Sequence, residues 1–217
     1  MRVKVCGITT KKDVKMVAGA GVDALGFVVE SESERSITKK RCSHLLKSVP
    51  PFVSSVVVST TTDIDEIVEL STLGTNAIQI HSNIPAEDIR KVKDIVRCKI
   101  LKAVSVEGRA NSLVKEVEKV SQVCDGIVID TGKGGTGRTH DWTISRMLRR
   151  VSSSPVILAG GLNPDNVATA IRIVRPYGVD VSSGVEIRKG IKDPGLVKKF
   201  VSEVRKVEYY TNNGRTS

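Results

Sequence analysis

Cys6 closes a short strand-like segment, Val3-Lys4-Val5-Cys6, and is followed at once by Gly7. A cysteine in that place is either a small buried hydrophobe or a base or nucleophile facing a cleft, provided its thiol ionises. Asp130 ends the apolar run Gly126-Ile127-Val128-Ile129. A carboxylate there is costly to bury unpaired, so it either caps the following loop or serves as an acid whose surroundings hold its proton. Two further places carry glycine and serine, Gly160-Gly161 and Ser182-Ser183-Gly184. Such turns let backbone N–H groups approach an anion closely, and two of them on neighbouring strand ends read as a phosphate site rather than as plain tight turns. A third glycine-rich stretch, Gly134-Gly135-Thr136-Gly137, lies in a connection over 131–141 long enough to be a binding loop, or simply a flexible connector. Gln79, His81, Asp180 and Arg35 complete the polar set. His81 reads first as a packing or hydrogen-bonding residue. Arg35 is suited to a two-pronged contact with a carboxylate, the alternative being an ordinary surface cation. Asp125 and Asp141 read as structural, and Cys42, Cys98 and Cys124 are assigned no chemistry.

The elements that must position these residues are legible from periodicity. Short apolar runs predict strands over 2–7, 24–29, 54–58, 77–81, 99–104, 126–130, 156–159 and 179–182. Amphipathic segments between them predict helices over 11–20, 38–48, 63–73, 85–96, 111–122, 142–150, 164–174 and 193–207. Thr10 and the pair Asn163-Pro164 are plausible helix starts. Regular strand–helix alternation means parallel strands joined by helical crossovers. An open doubly wound sheet would carry a glycine-rich dinucleotide turn after its first strand; Cys6-Gly7-Ile8-Thr9 lacks that spacing. The expected fold is α/β, a single (β/α)8 TIM barrel over 1–207, with the polar, aperiodic 208–217 a disordered tail. In such a barrel the strand C-termini converge on one mouth, which brings Cys6, Gln79, His81, Asp130 and Asp180 together.

Composition bounds the function. The chain has 217 residues, enough for one substantial core. Its aromatic content of only 3% leaves Val, Ile, Leu and Ala to fill the interior, which suits a parallel sheet covered by helices. No run approaches the roughly 20 apolar residues of a membrane span, and no signal peptide is visible, so a cytoplasmic protein is expected. The four scattered cysteines, with no CxxC or metal-finger spacing, predict neither a disulfide framework nor a metal site. A net charge of +10 invites a nucleic-acid reading. The basic residues are, however, spread over the helices, and the aromatics that stack on bases are nearly absent. A basic surface that draws in small phosphorylated anions explains the charge as well. The expected partner is a small phosphorylated molecule, with no nucleic acid and no membrane.

Taken in order, the motifs resemble one family. Lys4-Val5-Cys6-Gly7-Ile8-Thr9, Gly26-Phe27-Val28-Val29 with Arg35, and Gln79-Ile80-His81 are similar to successive signatures of the phosphoribosylanthranilate isomerases of tryptophan biosynthesis. So are Asp130-Thr131 with the segment from Gly134 to Trp142, the block from Leu158 to Val167, and the block from Gly178 to Glu186. The resemblance implies an Amadori rearrangement of N-(5-phosphoribosyl)anthranilate to 1-(2-carboxyphenylamino)-1-deoxyribulose 5-phosphate, without metal or organic cofactor, by a monomer or homodimer. It implies Asp130 as general acid on the furanose ring oxygen and Cys6 as general base on the C2 proton, each with its pKa moved toward the working pH. It implies Arg35 on the anthranilate carboxylate, Asp180 near the anthranilate nitrogen and His81 at the substrate. Gly135, Thr136, Gly160, Gly161, Ser183 and Gly184 would hold the phosphate.

Four departures from the family pattern stand out. Glu30-Ser31-Glu32-Ser33-Glu34 lacks the usual aromatic and proline residues and puts acid beside the expected carboxylate site, Ser82 follows His81 where glycine is usual, His140 stands where phenylalanine is common, and the third-strand end Val58-Ser59-Thr60 differs from the usual pattern. The nearest alternative is the imidazole-pathway isomerase, which performs the same rearrangement on another amine and resembles this chain but has aspartate on strand one in place of Cys6; an enzyme acting on both substrates is a further alternative. An alternative of another class is a noncatalytic RNA-binding barrel, which predicts tight, salt-sensitive oligonucleotide binding.

Overall fold

The computed structural model describes residues 1–131 and 139–213, with the backbone alone over 208–213. Eight parallel strands form the barrel: β1 Arg2–Val5, β2 Ala24–Val29, β3 Ser54–Ser59, β4 Ala77–Ile80, β5 Lys99–Ser105, β6 Gly126–Asp130, β7 Val156–Leu158 and β8 Gly178–Val181. Each pairs in parallel with its sequence neighbour, and β1 pairs with both β2 and β8, which closes the sheet. A two-residue strand, Ser36–Ile37, pairs in parallel with the end of β2, Ser36 beside Val28 and Ile37 beside Val29. The helices are α1 Lys11–Gly19, α2 Lys39–Leu46, α3 Ile64–Ser71, α4 Ala86–Ile95, α5 Ala110–Val120, α6 Trp142–Val151, α7 Val167–Val174 and α8 Pro194–Asn213.

Local chemistry starts several helices where expected. The side chains of Thr10, Thr38, Asp63 and Asp141 each accept from a backbone N–H in the first turn of α1, α2, α3 and α6, satisfying donors that the helix itself leaves unpaired. The seventh helix begins at Val167, not Pro164. Asn163 does organise the chain there, but its Oδ1 accepts from the N–H groups of Asp165 and Asn166, making a turn that precedes the helix. The last helix continues to Asn213, past the expected helix boundary at 207. Hydrophobic periodicity fades at 207, yet the polar residues beyond it can extend a helix whose apolar face is already docked.

The core has two parts. Outward-facing strand residues such as Val3, Val5, Leu25, Phe27 and Ile78 pack under the helices. The last helix contributes Val197, Phe200, Val201 and Val204, spaced to lie on one face. Inside the barrel, Ala103, Val128 and Ala159 form a small apolar cluster with Leu101 and Ile157 on the β5–β7 side. The opposite side of the interior is polar. Lys4 on β1 donates to Gln79 on β4, strands that are not neighbours, so this bond crosses the inside of the barrel.

Candidate active site

At the C-terminal ends of the strands lies a cavity of about 620 Å³, lined among others by Cys6, Arg35, His81, Asp130, Gly160 and Asp180. Gly161, Ser182 and Ser183 form another part of its wall. The two residues expected to move protons therefore face the same space, and both glycine–serine turns open into it. Gly184 lies one residue beyond this lining. Gly135 and Thr136, also expected at the phosphate, lie outside the described residues.

Cys6 follows β1 and points inward because side chains alternate along a strand. Its sulfur occupies room left by Gly26 on the neighbouring strand: a Cβ at Gly26 would sit 2.7 Å from Sγ. Burial pushes the Cys6 thiol above its ordinary range; Lys4 and Lys192 offset part of this, while Asp180 adds to it. The unliganded site thus holds a neutral thiol at neutral pH. This corrects the expectation of a base already shifted toward the working pH. The physical reason is desolvation in the barrel interior, which opposes any new anion.

Beneath the sulfur lies a charged pair that the sequence reading passed over. Lys4 and Asp180 are register partners on adjacent strands, their Nζ and Oδ2 2.5 Å apart, and both are buried. Burial alone would strip Lys4 of its proton, but Asp180 and Cys6 outweigh it and hold the ammonium charged. Burial raises the Asp180 carboxyl, and Lys4 compensates in part. The second oxygen of Asp180, Oδ1, is buried with no hydrogen-bond partner among the described residues, an unmade bond of the kind a ligand donor fills. Lys4 also donates to Gln79 Oε1 at 3.0 Å. That fixes which end of the Gln79 amide is which, so its Nε2 donates to His81 Nδ1 at 3.4 Å and leaves the His81 Nε2 to carry the proton. Burial lowers the His81 pKa, with Asp130 opposing, so the imidazole is a neutral donor to the cavity. Lys4 was findable: two residues before an inward Cys6, it must share its face.

Asp130 ends β6, and its Oδ1 accepts from the Thr131 N–H at 2.6 Å. Among the described residues its other oxygen has no hydrogen bond. Gly160 crosses over this carboxyl with φ +81°, and a Cβ there would come within 3.0 Å of Asp130 Oδ1 and 2.9 Å of Thr131 N. Only glycine meets both demands. His140 donates to or accepts from Ser145 Oγ at 2.5 Å, and burial lowers its pKa.

Arg35 reaches the cavity from the loop after β2, but its guanidinium is already forked onto Glu186, Nε to Oε1 at 2.9 Å and Nη2 to Oε2 at 2.7 Å. Lys192, fully buried, donates to the same Glu186 and to the Ser182 carbonyl. Neither Glu186 nor Lys192 was singled out from sequence, and no local pattern marks them. The acids of the Arg35 loop are largely engaged elsewhere. Glu30 accepts from the Lys39 N–H at the start of α2, Glu34 pairs with Lys189, and Glu32 lines the cavity. Asp125 and Asp141 are structural, Asp125 accepting from the Ile100 N–H and Asp141 capping α6. Cys42, Cys98 and Cys124 are free thiols, none of them in the cavity lining. Among the described residues no group of His, Cys, Asp and Glu side chains is arranged to hold a metal ion, and no helix is long and apolar enough to cross a membrane.

Comparison with known proteins agrees with this geometry. Residues 3–203 match the family model described as N-(5'phosphoribosyl)anthranilate (PRA) isomerase. The N-(5'-phosphoribosyl)anthranilate isomerase of Methanothrix thermoacetophila is 41% identical over 210 residues, covering 94% of this chain and 98% of its own. Among solved structures, a phosphoribosyl anthranilate isomerase in complex with reduced 1-(o-carboxyphenylamino)-1-deoxyribulose 5-phosphate superposes with a TM-score of 0.83 at 33% identity, covering 95% of this chain and 99% of that one. The mutually generated monomers of the dimeric enzyme from Thermotoga maritima give 0.84 at 32% identity, with the same coverage.

Proposed function

The chain belongs to the N-(5'-phosphoribosyl)anthranilate isomerase family, and from that premise we propose that its barrel-top cavity catalyses the Amadori rearrangement of N-(5-phosphoribosyl)anthranilate, with Cys6 and Asp130 moving the protons. The observation that carries this reading is that Cys6 and Asp130, 124 positions apart in the chain, line one cavity together with both glycine–serine turns.

In the first step the substrate nitrogen pushes its lone pair into C1, the bond from C1 to the ring oxygen breaks, and the Asp130 carboxyl gives that oxygen a proton. The product is an open-chain iminium. Its positive charge acidifies the C2 proton and favours an anion beside it, which offsets the desolvation that keeps the resting Cys6 neutral. As the iminium forms, the Cys6 thiol gives its proton to solvent, and the thiolate takes the C2 proton, giving an enolamine that tautomerises to the ketone. Cys6 is thereby back in its resting thiol form, Asp130 is left ionised, and one proton from solvent, equal to the one the thiol released, resets it. Phosphate held at Gly160, Gly161, Ser183 and Gly184 orients C2 between acid and base. The unpartnered Asp180 Oδ1 accepts from the anthranilate N–H. His81 donates to the substrate, and the guanidinium edge of Arg35 not bound to Glu186 meets the anthranilate carboxylate. This scheme asks nothing of a metal or organic cofactor.

A phosphorylated substrate does not leave a bilayer-bounded compartment unaided, which supports a cytoplasmic place of work. A homodimer and a monomer both fit the relatives. The direct test is turnover of purified protein with the anthranilate substrate and, separately, with the imidazole-pathway precursor. Activity on the first supports the assignment; turnover of the second alone overturns it.

A further inference from the structure

The polar floor of the barrel does more than fill space. Lys4 lies on the strand that ends at Cys6, on the same inward face, and its ammonium is gripped by Asp180 at 2.5 Å and Gln79 at 3.0 Å. A surface lysine samples many rotamers; this one is 4% exposed and held in one place. Four charged groups act on the Cys6 sulfur from the elements around it: Lys4 on β1, Asp180 on β8, Lys192 on the short hairpin after β8, and Arg35 on the loop after β2. The β2 side presents Gly26, which brings no charge. Arg35 and Lys192 share the single carboxylate of Glu186, which answers their two charges only in part. Lys4 and Asp180 pair one to one. Of these cations Lys4 is the one that stands on the strand leading to Cys6, two positions before it and on the same inward face.

We propose that Lys4 is a positioning residue for the isomerisation: its fixed ammonium supplies the positive charge against which the Cys6 thiolate forms. The inference rests on the reading of Cys6 as the base, and it explains why a buried lysine stands on the inward face two residues before it. Fixing the ammonium before reaction means no reorganisation is needed when the sulfur becomes negative. Asp180 has the opposite effect on the sulfur, so the two partners of one ion pair should shift Cys6 in opposite directions when each is removed.

That opposition is the test. Carbamidomethylation by iodoacetamide reports the thiolate fraction, and mass spectrometry of the peptide carrying Cys6 separates it from Cys98, which is also partly exposed. The rate is measured across pH on unliganded protein, so it does not depend on isomerase activity. Lys4→Met should move the alkylation midpoint up by about one pH unit or more, slowing the reaction at a fixed pH below it by about ten-fold. Lys4→Arg should keep the midpoint near wild type, and Asp180→Asn should move it down. An unmoved or lowered midpoint in folded Lys4→Met overturns the proposal, even if turnover is lost. Should Lys4→Met fail to fold by circular dichroism, Asp180→Asn decides alone, and an unmoved midpoint there is equally fatal. The isomerase assay on wild-type protein is separate: absent turnover with normal alkylation shifts would reject the functional reading while leaving the electrostatics intact.

Discussion

Arg35 and Glu186, separated by 151 positions in the chain, face each other as a two-pronged ion pair at 2.9 and 2.7 Å, both side chains mostly buried. Glu186 thereby aims the planar guanidinium, and Lys192 on its far side shares the negative charge. The pair makes Arg35 a fixed fixture of the cavity wall rather than a swinging surface cation. It also means that only part of the guanidinium remains for substrate.

A lysine at that position has no fork with which to hold Glu186 and a substrate carboxylate at once. Arg35→Lys should therefore raise KM by about ten-fold or more, a loss of about 1.4 kcal/mol or above, with kcat changed far less. Steady-state kinetics at several substrate concentrations checks this. An unaltered KM would place the anthranilate carboxylate elsewhere.

Cys6→Ser and Asp130→Asn should each lower kcat by a factor of about 10² or more while the affinity of a product analogue stays nearly constant, because both groups act chiefly in the transition state. Calorimetric titration beside the kinetic assay separates the two quantities. Near-normal kcat in either variant removes that residue from the proton-transfer scheme.

The sign of the pH dependence follows from the thiol. Burial pushes the free-enzyme Cys6 above the ordinary value of 9.0, so its active, deprotonated form grows as pH rises. The ascending limb of kcat/KM, which reports free enzyme, should continue past pH 9. The limb of kcat reports the complex, where the iminium charge favours the thiolate, and should have its midpoint at lower pH. Coincident midpoints would argue against substrate-assisted ionisation.

Gly26 gives a steric prediction. A methyl group there would sit 2.7 Å from the Cys6 sulfur and 3.0 Å from its Cα, so Gly26→Ala must displace the base or the strand. Overpacking of this kind costs about 1–3 kcal/mol of stability. We expect a lower Tm together with a kcat reduced by about ten-fold or more, measured by thermal melting and initial rates. A variant with lower Tm and wild-type kcat would mean that the sulfur has more freedom than its surroundings suggest.

Most of the architecture was present in the chain as local pattern. Runs such as Gly126-Ile127-Val128-Ile129 and the amphipathic segments between them obey periods that belong to the backbone itself, and the caps at Thr10 and Asp141 act within three residues. Cys6, Asp130 and the turns at Gly160 and Ser183 could be singled out because each sits at a strand end, and strand ends in this fold converge. The extension of the last helix to Asn213 could not be read, since a helix docked on one face no longer needs periodicity at its end. Nor could the helix start at Val167, where the Asn163 turn imitates a cap.

What folding alone decided is electrostatic. Lys4 meets Asp180 across 176 positions, and Arg35 meets Glu186 across 151. Charge interacts through space with whatever closure brings near, and sequence records only order along the chain. A strand period of two tells that Lys4 and Cys6 share a face; it does not tell that the face is dry, that its far wall carries Asp180, or that a thiol there stays protonated. The identity of the reacting groups was therefore written in the residues, whereas their protonation and their partners came from the closed barrel, whose interior excludes the water that would otherwise screen them.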